Sequence, residues 1–228
     1  MGKVRRTPLL ICILLLLTGA IALSLWWFAT NWRPSPDAYR FQGLDVGATQ
    51  GPIEWPIVHG GGADFAYLTA TLGTQGRDPS FEAHWGAVFA AGMRRGAVHI
   101  YSLCQPAEDQ ANNFNTTVPR SEDALPAAVA LDFQPNCAAR PGRGILLREL
   151  AKFLSIIEVH TGKPTLLKVT RAFDSSYRLS ETLPRPIWST QNFFPPDYSA
   201  KPWRMWQASD MRRIDGVAAP VHWDVVAQ

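Results

Sequence analysis

Between Arg6 and Arg33 the chain carries no charged residue, and from Leu9 to Phe28 it is almost entirely Leu, Ile, Ala, Trp and Phe. A helix rises about 1.5 Å per residue, so this stretch covers about 30 Å, the thickness of a bilayer core. Residues 1–32 are therefore expected to hold a short cytoplasmic tip and one transmembrane helix. A cleaved signal peptide is the competing reading, because Ala20-Ile21-Ala22 has the small-x-small form of a cleavage site. The apolar core of such a peptide is usually about 7–15 residues, whereas Leu23, Leu25, Trp26, Trp27 and Phe28 continue beyond the cut. This favours an uncleaved signal anchor, with Trp26, Trp27 and Trp32 in the outer interfacial belt. Lys3, Arg5 and Arg6 precede the run and orient it with the remainder outside the cytoplasm, periplasmic or extracellular on a single-pass inner-membrane protein.

The formal charge of +3 resides in that tip: without those three residues, 19 basic residues face 19 acidic ones. A basic footprint for nucleic acid is therefore absent. A hydrophobic fraction of 46% and a charged fraction of 18% point to a packed domain rather than a disordered tail. Cys12 falls inside the span, which leaves Cys104 and Cys137 in an oxidising compartment, where one disulfide is the simple expectation and two unrelated thiols the alternative. No Cys-x-x-Cys or His-Glu-x-x-His spacing points to a metal, and no cofactor is expected.

After a tether over residues 33–40, containing Pro34 and Pro36, strand-like and helix-like runs alternate. Phe41–Val46, Phe65–Thr71, Gly96–Tyr101, Ala127–Phe133, Thr165–Thr170 and Pro186–Ser189 read as strands. Pro79–Met93, Pro106–Thr117, Gly144–His160 and Arg171–Tyr177 carry apolar residues at helical spacing. That rhythm argues for an α/β domain of parallel strands with helical crossovers over residues 41–228. The last forty residues are broken by Pro184, Pro186, Pro195, Pro196, Pro202 and Pro220, and predict tightly turned strands. In such folds chemistry gathers at the C-terminal strand ends, here Asp45, Thr69 and Thr71, His99 and Tyr101, then Asp132 and Gln134. Cys104 and Cys137 each lie five residues beyond His99 and Asp132, so neighbouring strand ends would bring their loops within bridging distance.

Read in order, these strand ends resemble the family 25 glycoside hydrolases, muramidase-type lysozymes that cut peptidoglycan. The resemblance is carried by Gln42-Gly43-Leu44-Asp45-Val46, Gln50-Gly51, Phe65–Thr71, Asp78-Pro79, Gly96-Ala97-Val98-His99, Leu131-Asp132-Phe133-Gln134, Trp206-Gln207 and Val221-His222-Trp223-Asp224. It implies a modified TIM-like barrel with fewer outer helices and a glycan groove at the strand C-termini. It also implies an acidic set that is matched at Asp45 and Asp132 and altered at three places. Leu72 and Gln134 stand where Glu is expected, and His222 where Asp is expected.

Gln134 matters most, since hydrolysis of a glycosidic bond needs an acid that can lose and regain a proton, and an amide cannot. The resemblance thus implies a membrane-anchored protein that binds peptidoglycan glycan strands with hydrolysis reduced or lost. Two alternatives stay open: an active muramidase with a rearranged set of Asp45, Asp132 and His222, or a protein-binding scaffold without glycan affinity. Tyr67, His99, Tyr101, Trp188 and Trp206 are the candidate sugar-contacting residues, because flat aromatic faces stack on sugar rings.

Overall fold

The computed structural model describes residues 6–228. Lys3 and Arg5, two of the charges expected to orient the first segment, lie outside the described residues. Helix α1 (Arg6–Asn31) is continuous. Its stretch Leu10–Asn31 is 22 residues long with mean hydropathy 2.4, and Leu10–Phe28 is exposed wherever its side chains are described, so it is long and apolar enough to cross a membrane.

The domain then runs through β1 (Gln42–Val46), α2 (Trp55–Gly60), β2 (Phe65–Leu72), β3 (Gly76–Arg77), α3 (Phe81–Ala90), β4 (Arg94–Ile100), α4 (Ala107–Thr117), β5 (Ala128–Leu131), α5 (Arg143–Thr161) and β6 (Leu166–Thr170). It closes with α6 (Arg171–Tyr177), α7 (Leu179–Thr182), β7 (Ile187–Thr190), β8 (Met205–Arg212) and β9 (Val221–Val226). Strands pair in the order β1-β9-β8-β7-β6-β5-β4-β2, and a parallel β1–β2 pair closes the ring into an eight-stranded barrel, with β3 hanging on the edge of β2. Of the eight barrel strands, β9 alone runs against its neighbours, and the short β3 is also antiparallel to β2. The helical crossovers read from the sequence account for the parallel run from β2 to β7, and the proline-broken tail supplies the reversed strand.

Large side chains fill the lower barrel interior: Phe65, Tyr67, Val98, Leu166, Trp188 and Met205. Gly43 and Gly96 leave room for them, because a Cβ would lie 2.2 Å from the Phe65 carbonyl oxygen at the first and 2.3 Å from the Tyr67 ring at the second. Outside the wall, α5 buries Leu146, Leu150, Phe153, Leu154 and Ile157, the stripe evident in the sequence. Each such side chain stabilises the fold by about 1.5–3 kcal/mol. The helix ends at Gly162, whose φ of +70° suits the left-handed cap position.

No helix connects β7 to β8 or β8 to β9, so the outer face of β8, β9 and β1 lacks that cover. The segment expected to be a tether lies there instead. Tyr39 packs on Trp203 and Trp206, Trp32 packs on Trp206, and Gln42 accepts a hydrogen bond from Trp223 Nε1 at 2.8 Å while donating to the Pro34 and Tyr39 carbonyls. Pro34 and Tyr39 in this short stretch, with Trp32 just before it, lay it on the wall as a strap.

Candidate active site

Asp45 points into the upper barrel from β1, directly across the β1–β9 pair from His222. Its Oδ1 meets His222 Nδ1 at 2.9 Å, and its Oδ2 accepts from Lys168 Nζ at 2.7 Å, Lys168 reaching in from β6. Burial by itself would raise the Asp45 carboxyl, but the charges of Lys168 and His222 and their hydrogen bonds outweigh it and hold the group well below the usual carboxylate range. Asp224 lies two residues from His222 on the same face of β9 and is fully enclosed. Its Oδ1 accepts from Trp188 Nε1 at 2.9 Å, and its Oδ2 has no partner among the described residues. Burial, reinforced by the neighbouring Asp45 charge, pushes Asp224 well above the ordinary range and favours its neutral form. Trp188 also lies under the Lys168 ammonium, 4.4 Å from its ring centroid.

Asp45 and His222 open into a cleft of about 370 Å³ lined also by Thr69, Leu72, Ile100 and Arg77. Its rim is the turn after β1. There Gln50 Oε1 accepts from Gly47 N, and Asp78 Oδ2 accepts from Ala48 N at 2.7 Å, so these two residues shape the turn. Asp132 and Gln134 follow β5, which ends at Leu131, two residues short of the expected end. Asp132 is exposed, and its Oδ1 accepts from Thr170 Oγ1 at 2.9 Å and from Phe133 N. Gln134 is half-buried and donates from Nε2 to the Tyr101 carbonyl at 2.8 Å. The Cys104–Cys137 disulfide, with Cα atoms 5.8 Å apart, ties the loop after β4 to the loop that carries Gln134, and Cys137 N donates to the Gln134 carbonyl.

The aromatic candidates are placed otherwise than expected. His99 is fully enclosed outside the wall, between Thr71 Oγ1 at 2.7 Å and Gln110 Oε1 at 3.2 Å, with Phe153 stacked on it. Burial pushes its ring down to about 4, so it is neutral. Tyr101 is buried beside the same Phe153, and Trp206 lies under the strap. Tyr67 is inside the barrel with its hydroxyl on the Pro126 carbonyl, and Trp188 sits beneath Asp224. None of the five offers a sugar an open face. The alternation of a strand puts every second residue outside, so nearness to a strand end did not establish which way each ring points.

Two site residues were missed. Lys168 interrupts the apolar run Leu166-Leu167-Lys168-Val169, and a cation in a strand covered on both faces requires a buried anion. Asp224 had the period-two signal that links it to His222. Among the described residues no group of three or more His, Cys, Asp or Glu is arranged to hold a metal.

The barrel resembles solved structures of a glycosyl hydrolase and a lysozyme. A family 25 glycosyl hydrolase from Bacillus anthracis superposes with a TM-score of 0.79 at 27% identity, covering 86% of this chain and 92% of that one. The bacterial lysozyme from Streptomyces coelicolor gives 0.76 at 26% identity, covering 82% and 92%. In sequence, the uncharacterized protein YegX of Escherichia coli is 29% identical over 196 residues, 83% of this chain and 71% of its own length. The model of glycosyl hydrolases family 25 matches residues 44–217, from the strand that carries Asp45 to the turn before the strand that carries His222 and Asp224, and the chain belongs to that family.

Proposed function

We propose that the chain is a membrane-anchored, lysozyme-like protein that engages peptidoglycan glycan strands at the strand-end cleft, with hydrolysis reduced or lost. One observation carries this reading: the side chain at 134 is an amide held on the Tyr101 carbonyl, not a carboxyl. Asp45 has both oxygens occupied by Lys168 and His222, and Asp224 is sealed beneath it. Gln134, at the position where the family resemblance calls for the general acid, presents an amide fixed to the Tyr101 carbonyl. General acid catalysis is worth about 10²–10⁴ in rate, so its loss alone brings turnover close to background. The anchor reading is supported by α1, whose apolar side chains find no cover in the rest of the chain.

The test is muropeptide release from purified peptidoglycan beside a pull-down on the same material. Binding without release is expected from the natural chain, and Gln134→Glu should then start release. Adding Leu72→Glu and His222→Asp to that variant should raise it further. Release at rates typical of lysozymes that Gln134→Ala leaves unchanged would refute the reading, and absence of binding would favour a protein-binding scaffold. The 2.9 Å contact between Asp45 and His222 favours a second reading, a working muramidase in which this dyad carries the proton. In that case the natural chain releases muropeptides and His222→Ala abolishes release. For topology, a phosphatase fused after Gln228 should be active and a cytoplasmic reporter there silent.

A further inference from the structure

The last turn of α1 is fastened to the barrel, and the order of its contacts gives a direction. Trp32 packs on Trp206 near the start of β8, with ring centroids 6.3 Å apart. The Asn31 carbonyl accepts from Arg212 at the end of that strand, and the Thr30 carbonyl accepts from Arg213 N at 2.7 Å, one residue beyond it. Earlier still, the Arg213 guanidinium sits 6.0 Å from the Trp26 ring centroid. Followed back toward its N-terminus, the helix therefore passes along β8 to its C-terminal end, the same end of the barrel at which Asp45 and His222 open into the cleft.

The loop after β7 rises to that edge as well. Phe193 N donates to the Ala208 carbonyl at 2.9 Å, and Asn192 Nδ2 donates to Asp210 Oδ1 at 2.8 Å. Phe193 packs on Trp32 and adopts a φ of +69°, uncommon for a side chain of its size. The turn leaves its neighbour Phe194 71% exposed. A single exposed phenylalanine is ordinary on a protein surface. Here it shares one edge with Arg213, which is exposed and makes no ion pair among the described residues, and with the exit of a 22-residue apolar helix ending in exposed Trp26, Trp27 and Phe28. An aromatic ring and a guanidinium beside a membrane span suit the acyl boundary and the phosphate layer respectively.

We propose that Phe194 and Arg213 seat the rim of the barrel on the outer phospholipid headgroup layer, so that the cleft opens toward the membrane and takes glycan lying against it. The proposal rests on the anchor reading of α1. The helix end and the strap then act as an orienting mount, not a leash, and glycan far above the bilayer would lie on the wrong side of the barrel.

The test uses the full chain with Cys12→Ser in nanodiscs of phosphatidylethanolamine and phosphatidylglycerol, with a bimane label placed singly through Leu16→Cys, Phe194→Cys or Val159→Cys. Val159 is 79% exposed near the end of α5, at the opposite end of the barrel. Lipids with a nitroxide at the headgroup or at mid-chain report depth. The expected result is loss of most emission at 16 to the mid-chain quencher, loss of most emission at 194 to the headgroup quencher, and none at 159. That pattern puts position 194 within the interfacial layer about 5–10 Å deep. Quenching at 16 without quenching at 194 overturns the proposal while the anchor stands. Absence of quenching at 16 overturns both.

Discussion

Replacing Asp224 by Asn should stabilise the protein at neutral pH and leave it unchanged in acid. An Asn side chain is the isostere of a protonated Asp: its carbonyl can still accept from Trp188 Nε1, and its NH₂ can take the place of the O–H facing Asp45. In the unfolded chain Asp224 titrates near 3.8, whereas in the folded barrel burial and the Asp45 charge raise it. A carboxyl whose folded pKa is raised contributes most below the unfolded value and loses that contribution as pH rises toward the folded one. Each pH unit in that interval costs about 1.4 kcal/mol, and the loss reaches its ceiling at the folded value.

A second group works against this slope and must be separated from it. His99 is held neutral down to about 4 by burial, so between its ordinary value of 6.5 and that point the unfolded chain gains a proton that the folded one refuses. Stability from His99 therefore falls as pH falls, while stability from Asp224 falls as pH rises. The two partly cancel in the parent, and only the difference between parent and Asp224→Asn isolates the carboxyl. Urea unfolding of both proteins in detergent at half-unit steps from pH 4 to pH 7 should show that difference growing from near zero toward its ceiling. A difference equal at both ends would mean that Asp224 is ionised in the folded state, and the charge assignment of the site would be wrong.

Lys168→Met should cost about 3–5 kcal/mol, the cost of stranding a buried charge, and adding Asp45→Asn should recover much of it; urea midpoints read both. Reducing the Cys104–Cys137 bridge, which spans 33 residues, should lower stability by about 3–4 kcal/mol, measured as the shift in unfolding with and without a phosphine reductant. His222→Asp should destabilise more at pH 7 than at pH 4, because it adds a carboxyl beside Asp45; the same pH series checks it.

Much of the frame was legible because it rests on local patterns. The stripe from Leu146 to Ile157 predicts a helix over 144–160 where α5 occupies Arg143–Thr161, and the apolar runs place six strands within a few residues of their observed bounds. The resemblance put Asp45 and His222 in one site, and they meet at 2.9 Å. What escaped depends on closure of the barrel. Lys168 and Asp45 are 123 residues apart and meet only because β6 and β1 face across the interior. Likewise, the strap over residues 33–40 packs because the neighbouring wall has no helix, a vacancy that no local run of residues records.

The interior charges also bear on why, under the proposed reading, the test substitutions begin at Gln134. Asp45, Lys168 and Asp224 share one enclosed space, in which Lys168 and His222 both bond to Asp45 and burial beside Asp45 pushes Asp224 toward its neutral form. A new carboxyl at 222 would remove one of the two partners of Asp45 and add an acidic group to this space. A new carboxyl at 134 stands after β5, among the loops joined by the disulfide and outside that buried set. It gives up the Gln134 Nε2 bond to the Tyr101 carbonyl but leaves the buried charges as they are. On the proposed reading, Gln134→Glu is therefore the change that can supply a proton donor without adding charge to the interior, and the other two substitutions gain value only once it is in place.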